Sequence, residues 1–203
     1  MLADDIPSPN PQTSRLNDFD LDAIQQGEAL MFLIHFLGDI HQPLHTENMD
    51  RGGTHTPACF DRDCSDMNLH SVWDTEIPNK HRGVARHIRP PAKKEAVEKE
   101  AAASWAEDLH AANQAEGLVI SKECGDIQKA RGCALSWANE ANSHVCSYVI
   151  GQLTDDDLGG QYYDGAVPIV DELIGKAGLR LGRWINALAA ARSNEANLLV
   201  QEL

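Results

Sequence analysis

Basic side chains are scarce in this chain: 17 Lys and Arg stand against 31 Asp and Glu, a formal net charge of -14 over 203 residues. Holding nucleic acid by a basic surface needs clustered Lys and Arg, so nonspecific duplex binding of that kind is excluded. The pair Lys93-Lys94 lies among Glu95, Glu98 and Glu100 and reads as a solvated helix face. No apolar stretch is long enough to cross a membrane, no charged-then-apolar leader follows Met1, and no Asn-x-Ser/Thr acceptor with a permitted middle residue occurs. Aromatic residues are only 5% and no repeat is present, while Ala, Leu and Glu are frequent; this favours helices over a sheet, in one domain with a sizeable core. No C-x2-C spacing exists, which argues against a zinc site built from cysteines.

What the chain has instead is histidine paired with aspartate. From Leu21 to Ile40 the apolar residues Ile24, Leu30, Leu33, Leu37 and Ile40 recur at helical spacing, with Asn17 or Asp18 placed to cap the start and Pro43 to enforce a stop. On that helix His35 and Asp39 are four apart and project from one face, where an imidazole and a carboxylate can grip one ion. His70 and Asp74 repeat the arrangement in a second short helical stretch. Pro43 lets the chain turn, so that His45 faces a different ion from the one His35 and Asp39 face. Two histidines and a carboxylate, His45, His70 and Asp74, leave coordination open for water, the pattern of a catalytic rather than a structural zinc. The competing reading of any lone histidine on an apolar helix is a satisfied core residue. Asp39 beneath Phe, Leu and Ile weighs against it, because a buried carboxylate needs a cation or a donor.

Elsewhere the spacing predicts a Gly- and Asp-containing loop from Thr46 to Met67, in which Gly52-Gly53 permits a tight turn and close backbone approach to the metals. Arg89-Pro90-Pro91 breaks the chain. Helices follow over Ala92 to Asn113, with Trp105, Leu109 and Ala112 on one side, then over Cys133 to Ile150 and Tyr163 to Ala191. Trp137 and Trp184 read as core rather than as base-stacking platforms. His41, His55, His81, His87, His110 and His144 have no ligand role; His41 could at most support a ligand from behind.

His35-x3-Asp39-x5-His45, Gly52-Gly53 and Asn68-Leu69-His70-x2-Trp73-Asp74 together resemble the signature of the S1/P1 family of zinc-dependent single-strand nucleases. Trp137-Ala138-Asn139-Glu140-Ala141-Asn142, Cys146, Tyr162-Tyr163 and Ile174 to Leu181 are similar to the C-terminal helices of its fungal members. The match runs from about Glu28 to Leu188, with Arg82 to Ala130 only loosely similar. The resemblance implies an all-α fold of the phospholipase C/P1 nuclease type, lacking its N-terminal part, and a family cluster of three Zn2+. By position it implies that His45, His70 and Asp74 complete one zinc site, while His35 and Asp39 supply part of the set for the other two, Asp39 bridging. The rest of that set lies upstream in the family, in a terminal tryptophan and further His and Asp residues. No His or Trp precedes His35 here, and Met1 to Arg15 has no counterpart in the family pattern. At most one complete zinc site is therefore expected.

Five cysteines make an odd number. Cys59 could pair with Cys64 and Cys124 with Cys133, while Cys146 aligns with a family cysteine whose partner lies upstream; five reduced thiols in a cytosolic protein is the other reading. The resemblance implies a secreted metal-dependent endonuclease that hydrolyses single-stranded DNA and RNA to 5′-phosphate products, with 3′-nucleotidase activity possible on nucleotides. No membrane and no stable protein partner are implied. This chain, lacking upstream ligands, is expected to be weakly active or inactive. The alternatives are a phospholipase C-like zinc hydrolase on the same fold and a helical remnant that binds metal without catalysis.

Overall fold

The computed structural model describes residues 21–118, 121–154 and 157–201. The fold is all-α: among the described residues, β structure is confined to two isolated bridges, Pro57 with Asn68 and Phe60 with Asp63. Two compact units are present, residues 1–34 and 35–203. In the first unit the described residues run from 21 to 34. They carry the start of α1 (Ala23–Asp39), whose cap is Asp22. Its carboxylate accepts from the backbone N–H of Ile24 and Gln25, at 2.8 and 2.9 Å, and the Gln25 side chain returns a bond to the Asp22 N–H. The expected caps Asn17 and Asp18 lie outside the described residues. Of the apolar stripe on α1, Leu37 is buried, whereas Ile24 and Leu30 are exposed.

In the second unit a 3-10 turn, Pro43–Thr46, follows α1 where Pro43 stops the helix. After a loop come α2 (Leu69–Ser71), a π turn (Val72–Glu76) and α3 (Ile77–His81), which run on as one element. Asn68 starts it with a capping box: its side chain accepts from the Ser71 N–H, and the Ser71 hydroxyl accepts from the Asn68 N–H. α4 (Pro91–Ala115), α5 (Ala130–His144) with its own π turn to Val149, and the long α6 (Gln161–Gln201) complete the frame.

The core lies under the π turns. Leu44, Phe60, Leu69, Val72, Trp73, Ile77, Trp105, Val149, Tyr162 and Val170 form one buried cluster. Trp73 satisfies its indole by donating to the Tyr162 hydroxyl at 2.9 Å, which in turn donates to the Val149 carbonyl at 2.7 Å. A chain of satisfied polar atoms thus crosses the apolar interior without a desolvation cost. Trp137 and Trp184 are also core, their rings 4.9 Å apart, as the sequence led us to expect. Disulfides join Cys59 to Cys64 and Cys124 to Cys133, and Cys146 is a free, exposed thiol.

An ionic knot ties three separated stretches together. Glu140 on α5 receives Lys176 at 2.6 Å and Arg180 at 2.5 Å, both from α6. Arg180 also donates to His41 Nε2 at 2.7 Å, and His41 Nδ1 donates to the Leu37 carbonyl. Burial first, and the neighbouring Arg180, push the His41 pKa down to about 4, so the ring is neutral and accepts. His41 is thereby a fastener between α1 and α6 and does not touch the other histidines.

Candidate metal centre

His45 comes from the 3-10 turn, His70 from α2 and Asp74 from the adjoining π turn, and their ligand atoms all lie within 4.8 Å of one another. Each imidazole is held by its Nδ1. That of His70 meets the Gly52 carbonyl at 2.6 Å, and that of His45 meets the Asp39 carbonyl at 3.2 Å and its carboxylate at 3.2 Å. These partners only accept, so Nδ1 carries the proton in each ring and Nε2 presents a lone pair. The two Nε2 atoms face one another at 3.2 Å. Asp74 closes the triangle, with Oδ1 3.4 Å from His45 Nε2 and Oδ2 3.0 Å from His70 Nε2.

Facing lone pairs beside a carboxylate repel unless a cation sits among them. With zinc–ligand bonds near 2.0–2.1 Å, tetrahedral geometry separates ligand atoms by roughly 3.3 Å. The observed 3.0 to 3.4 Å edges match that spacing, so the donor set fits zinc in number, type and reach. Side-chain exposures of 23, 24 and 34% leave an opening to solvent. The alternative neutraliser is a proton. The hydrogen bond to Asp74 raises the His45 pKa above its ordinary value, against burial and with help from the Asp74 and Asp39 charges. Burial pushes the Asp74 carboxyl up, but bonds from His45 and Gln42 and the charges of both imidazoles outweigh it and leave it lowered. Proton and metal ion compete for the same place.

Two further groups shape the site. Gly52 has φ +63, and a Cβ there would stand 2.8 Å from the Leu44 carbonyl, so only glycine lets this strand of loop present its carbonyl to His70. Gln42 donates from Nε2 to Asp74 Oδ1 at 2.8 Å. In the sequence the one signal for Gln42 is its place between Asp39 and His45.

His35 and Asp39 sit elsewhere. They face each other at 3.9 Å on α1, with 67 and 41% of their side chains exposed. Asp39 lies against His45 Nδ1, the nitrogen turned away from His70. Among the described residues they do not enter the three-residue group. His45 and Asp74, with Asp39 and Gln42, line one side of a cavity of about 440 Å3 whose other side is apolar, formed by Pro43, Trp73, Val170, Leu173 and Ala177.

An all-helical fold carrying a convergent His, His, Asp group defines the class: a helical protein with three side chains placed so that they could hold a metal ion. Comparison with known proteins narrows it. The family described as S1/P1 Nuclease matches residues 9–190, beginning well before the Glu28 expected from the motifs alone, and the chain belongs to that family. It is 34% identical over 174 residues to Nuclease S1 of Aspergillus oryzae, a match covering 81% of this chain and 55% of that protein. It is 35% identical over 185 residues to Nuclease P1 of Penicillium citrinum, covering 87% and 63%. Endonuclease 5 of Arabidopsis thaliana is 30% identical, covering 84% and 54%. The chain thus spans about half to three fifths of the length of these relatives.

Proposed function

We propose that this chain belongs to a zinc-dependent phosphodiester hydrolase that cleaves single-stranded DNA and RNA to 5′-phosphate products, with His45, His70 and Asp74 holding one zinc. The observation that carries the reading is the pair of Nε2 lone pairs 3.2 Å apart, each ring locked by its Nδ1 and both facing one carboxylate. A zinc ion there would polarise a phosphodiester oxygen and acidify water. The residues themselves do the rest. The Gly52 and Asp39 carbonyls hold the imidazole tautomers, and Asp74 supplies negative charge. The adjoining cavity offers an apolar wall of Pro43, Trp73, Val170 and Leu173 beside the ligands. Local positive charge from metal ions also explains how a chain of net charge -14 can approach phosphates without a basic surface.

His35 and Asp39 are the remaining ligands of this reading, serving further zinc ions with Asp39 as a bridge. Because one three-residue group forms among the described residues, weak activity is the outcome we expect of this chain alone. Nuclease names on all three relatives favour nucleic acid over a phospholipid as substrate. The two disulfides suit an extracellular setting, and no helix among the described residues is long and apolar enough to cross a membrane.

The test is zinc content per chain, measured beside hydrolysis of denatured DNA and of a choline phospholipid. Bound zinc with slow, chelator-sensitive cleavage of DNA alone is expected. Cleavage of the lipid instead would favour the phospholipase reading. Zinc with neither activity would leave a metal-binding protein, and absence of zinc would remove the hydrolase reading altogether.

A further inference from the structure

We propose that Gln42 is a positioning residue that fixes the Asp74 carboxylate for metal binding; the proposal rests on the zinc reading above. Both ends of its amide are committed. Oε1 accepts from the Leu44 N–H at 2.5 Å, and Nε2 donates to Asp74 Oδ1 at 2.8 Å. The orientation of the amide is determined by its partners. The Leu44 N–H can only donate, so the atom facing it is the oxygen, and the NH2 is left for a carboxylate that can only accept.

The geometry gives this bond a consequence beyond local tidiness. Gln42 caps the same 3-10 turn that carries His45, whereas Asp74 sits 32 residues further on in the π turn. Of the contacts in this group, the Gln42 bond alone ties the His45 turn to Asp74 through a group that is not itself a ligand. Without it only the two histidines themselves orient the carboxylate, and its final approach to both Nε2 atoms is left to be settled as the metal binds. A ligand already oriented loses less freedom when the ion arrives. The amide also occupies Oδ1, leaving Oδ2, 3.0 Å from His70 Nε2, as the less encumbered donor.

The test uses the full chain with Gln42→Met, which keeps the length of the side chain and removes both amide bonds. Thr46→Val serves as the control for the turn, because it cuts the Thr46 hydroxyl bond to the Pro43 carbonyl, and the one it accepts from Asn142, without touching Asp74. Zinc affinity is read by competition with a chelator and coordination by the visible spectrum of the Co2+-loaded protein. Gln42→Met is expected to weaken zinc about 10- to 100-fold and to alter the cobalt spectrum. Thr46→Val is expected to lower Tm while leaving affinity within about threefold of wild type, below the loss that a displaced ligand support produces. Wild-type affinity and spectrum in Gln42→Met would overturn the proposal, as would equal weakening in both variants. If Gln42→Met does not fold, Gln42→Glu decides. It keeps the acceptor for the Leu44 N–H but replaces the donor facing Asp74, so an unchanged cobalt spectrum would overturn the assignment. A wild-type chain that binds no zinc at all would sink the hydrolase reading and this proposal together, whereas a Gln42-specific failure leaves that reading standing.

Discussion

His35–Asp39 and His70–Asp74 have the same four-residue spacing, and the structure treats them differently. The first pair lies on the regular helix α1 with ligand atoms 3.9 Å apart and the His35 ring 67% exposed. The second spans the junction of α2 with a π turn; its atoms meet at 3.0 Å and its side chains are 24 and 34% exposed. The difference comes from what lies behind each ring. His70 is gripped by the Gly52 carbonyl and Asp74 by Gln42, each from a segment remote in sequence, while His35 has the edge of Phe36 beside it, a chain neighbour. Spacing along a helix makes two ligands adjacent. Aiming them takes hydrogen bonds from elsewhere in the chain.

The strongest way to break this comparison is to remove an aimed ligand. His70→Ala deletes one of three donors and is expected to weaken zinc binding at least about 100-fold, with loss of any chelator-sensitive cleavage of denatured DNA. Retention of tight zinc by this variant would show that the aimed pair is not the site. Gly52→Ala tests the aiming instead of the ligand. A methyl 2.8 Å from the Leu44 carbonyl at φ +63 must displace the loop and withdraw the carbonyl from His70. A loss of about tenfold in zinc affinity and roughly 1–3 kcal/mol in stability is expected, measured by chelator competition and urea unfolding.

The scaffold behind the site answers to pH with a definite sign. Burial pushes the Glu140 carboxyl up, but Lys176 and Arg180 outweigh it, so its folded pKa lies below the unfolded value of 4.5. A depressed carboxyl contributes its stability in full above the unfolded value and loses it as pH falls through the folded one. Glu140→Gln should therefore cost about 1–2 kcal/mol at pH 7, since the pairs are partly exposed, and the gap from wild type should close on acidification below about pH 4.5. Urea melts at pH 7 and at pH 3 check it; a gap that stays constant would mean the ion pairs do not hold α5 to α6.

Much of this was legible from residue order. Periodicity and Pro43 placed the first helix over Leu21 to Ile40, against the observed Ala23–Asp39, and the expected Ala92 to Asn113 lies within Pro91–Ala115. Such elements are set by local pattern and by where proline removes an N–H. The nearness of His70 to Asp74 was legible because the two stand four apart on one helical stretch, whereas His45 meets them from a turn 25 residues away in sequence. What escaped depends on distant partners. The π turns bury Trp73 and Val149 in one core, and nothing in their composition marks them. The knot of His41, Glu140 and Arg180 joins residues 139 positions apart. The Gln42 bond to Asp74 likewise forms only between residues 32 positions apart.

The smallest effect sharpens the comparison most. His35 contributes no atom to the group formed by His45, His70 and Asp74, and its one link to that group runs through Asp39, which touches the far side of His45. His35→Ala should accordingly change zinc affinity at the three-residue group by less than about threefold, well short of the loss that a ligand's direct support produces. The same variant should abolish any weaker second zinc uptake, since His35 and Asp39 are its proposed donors. Titration with zinc in the presence of a graded set of chelators separates the two classes of site. A parallel fall in both would mean that α1 orients His45 through Asp39, and that the two histidine–aspartate pairs form one cooperative unit after all.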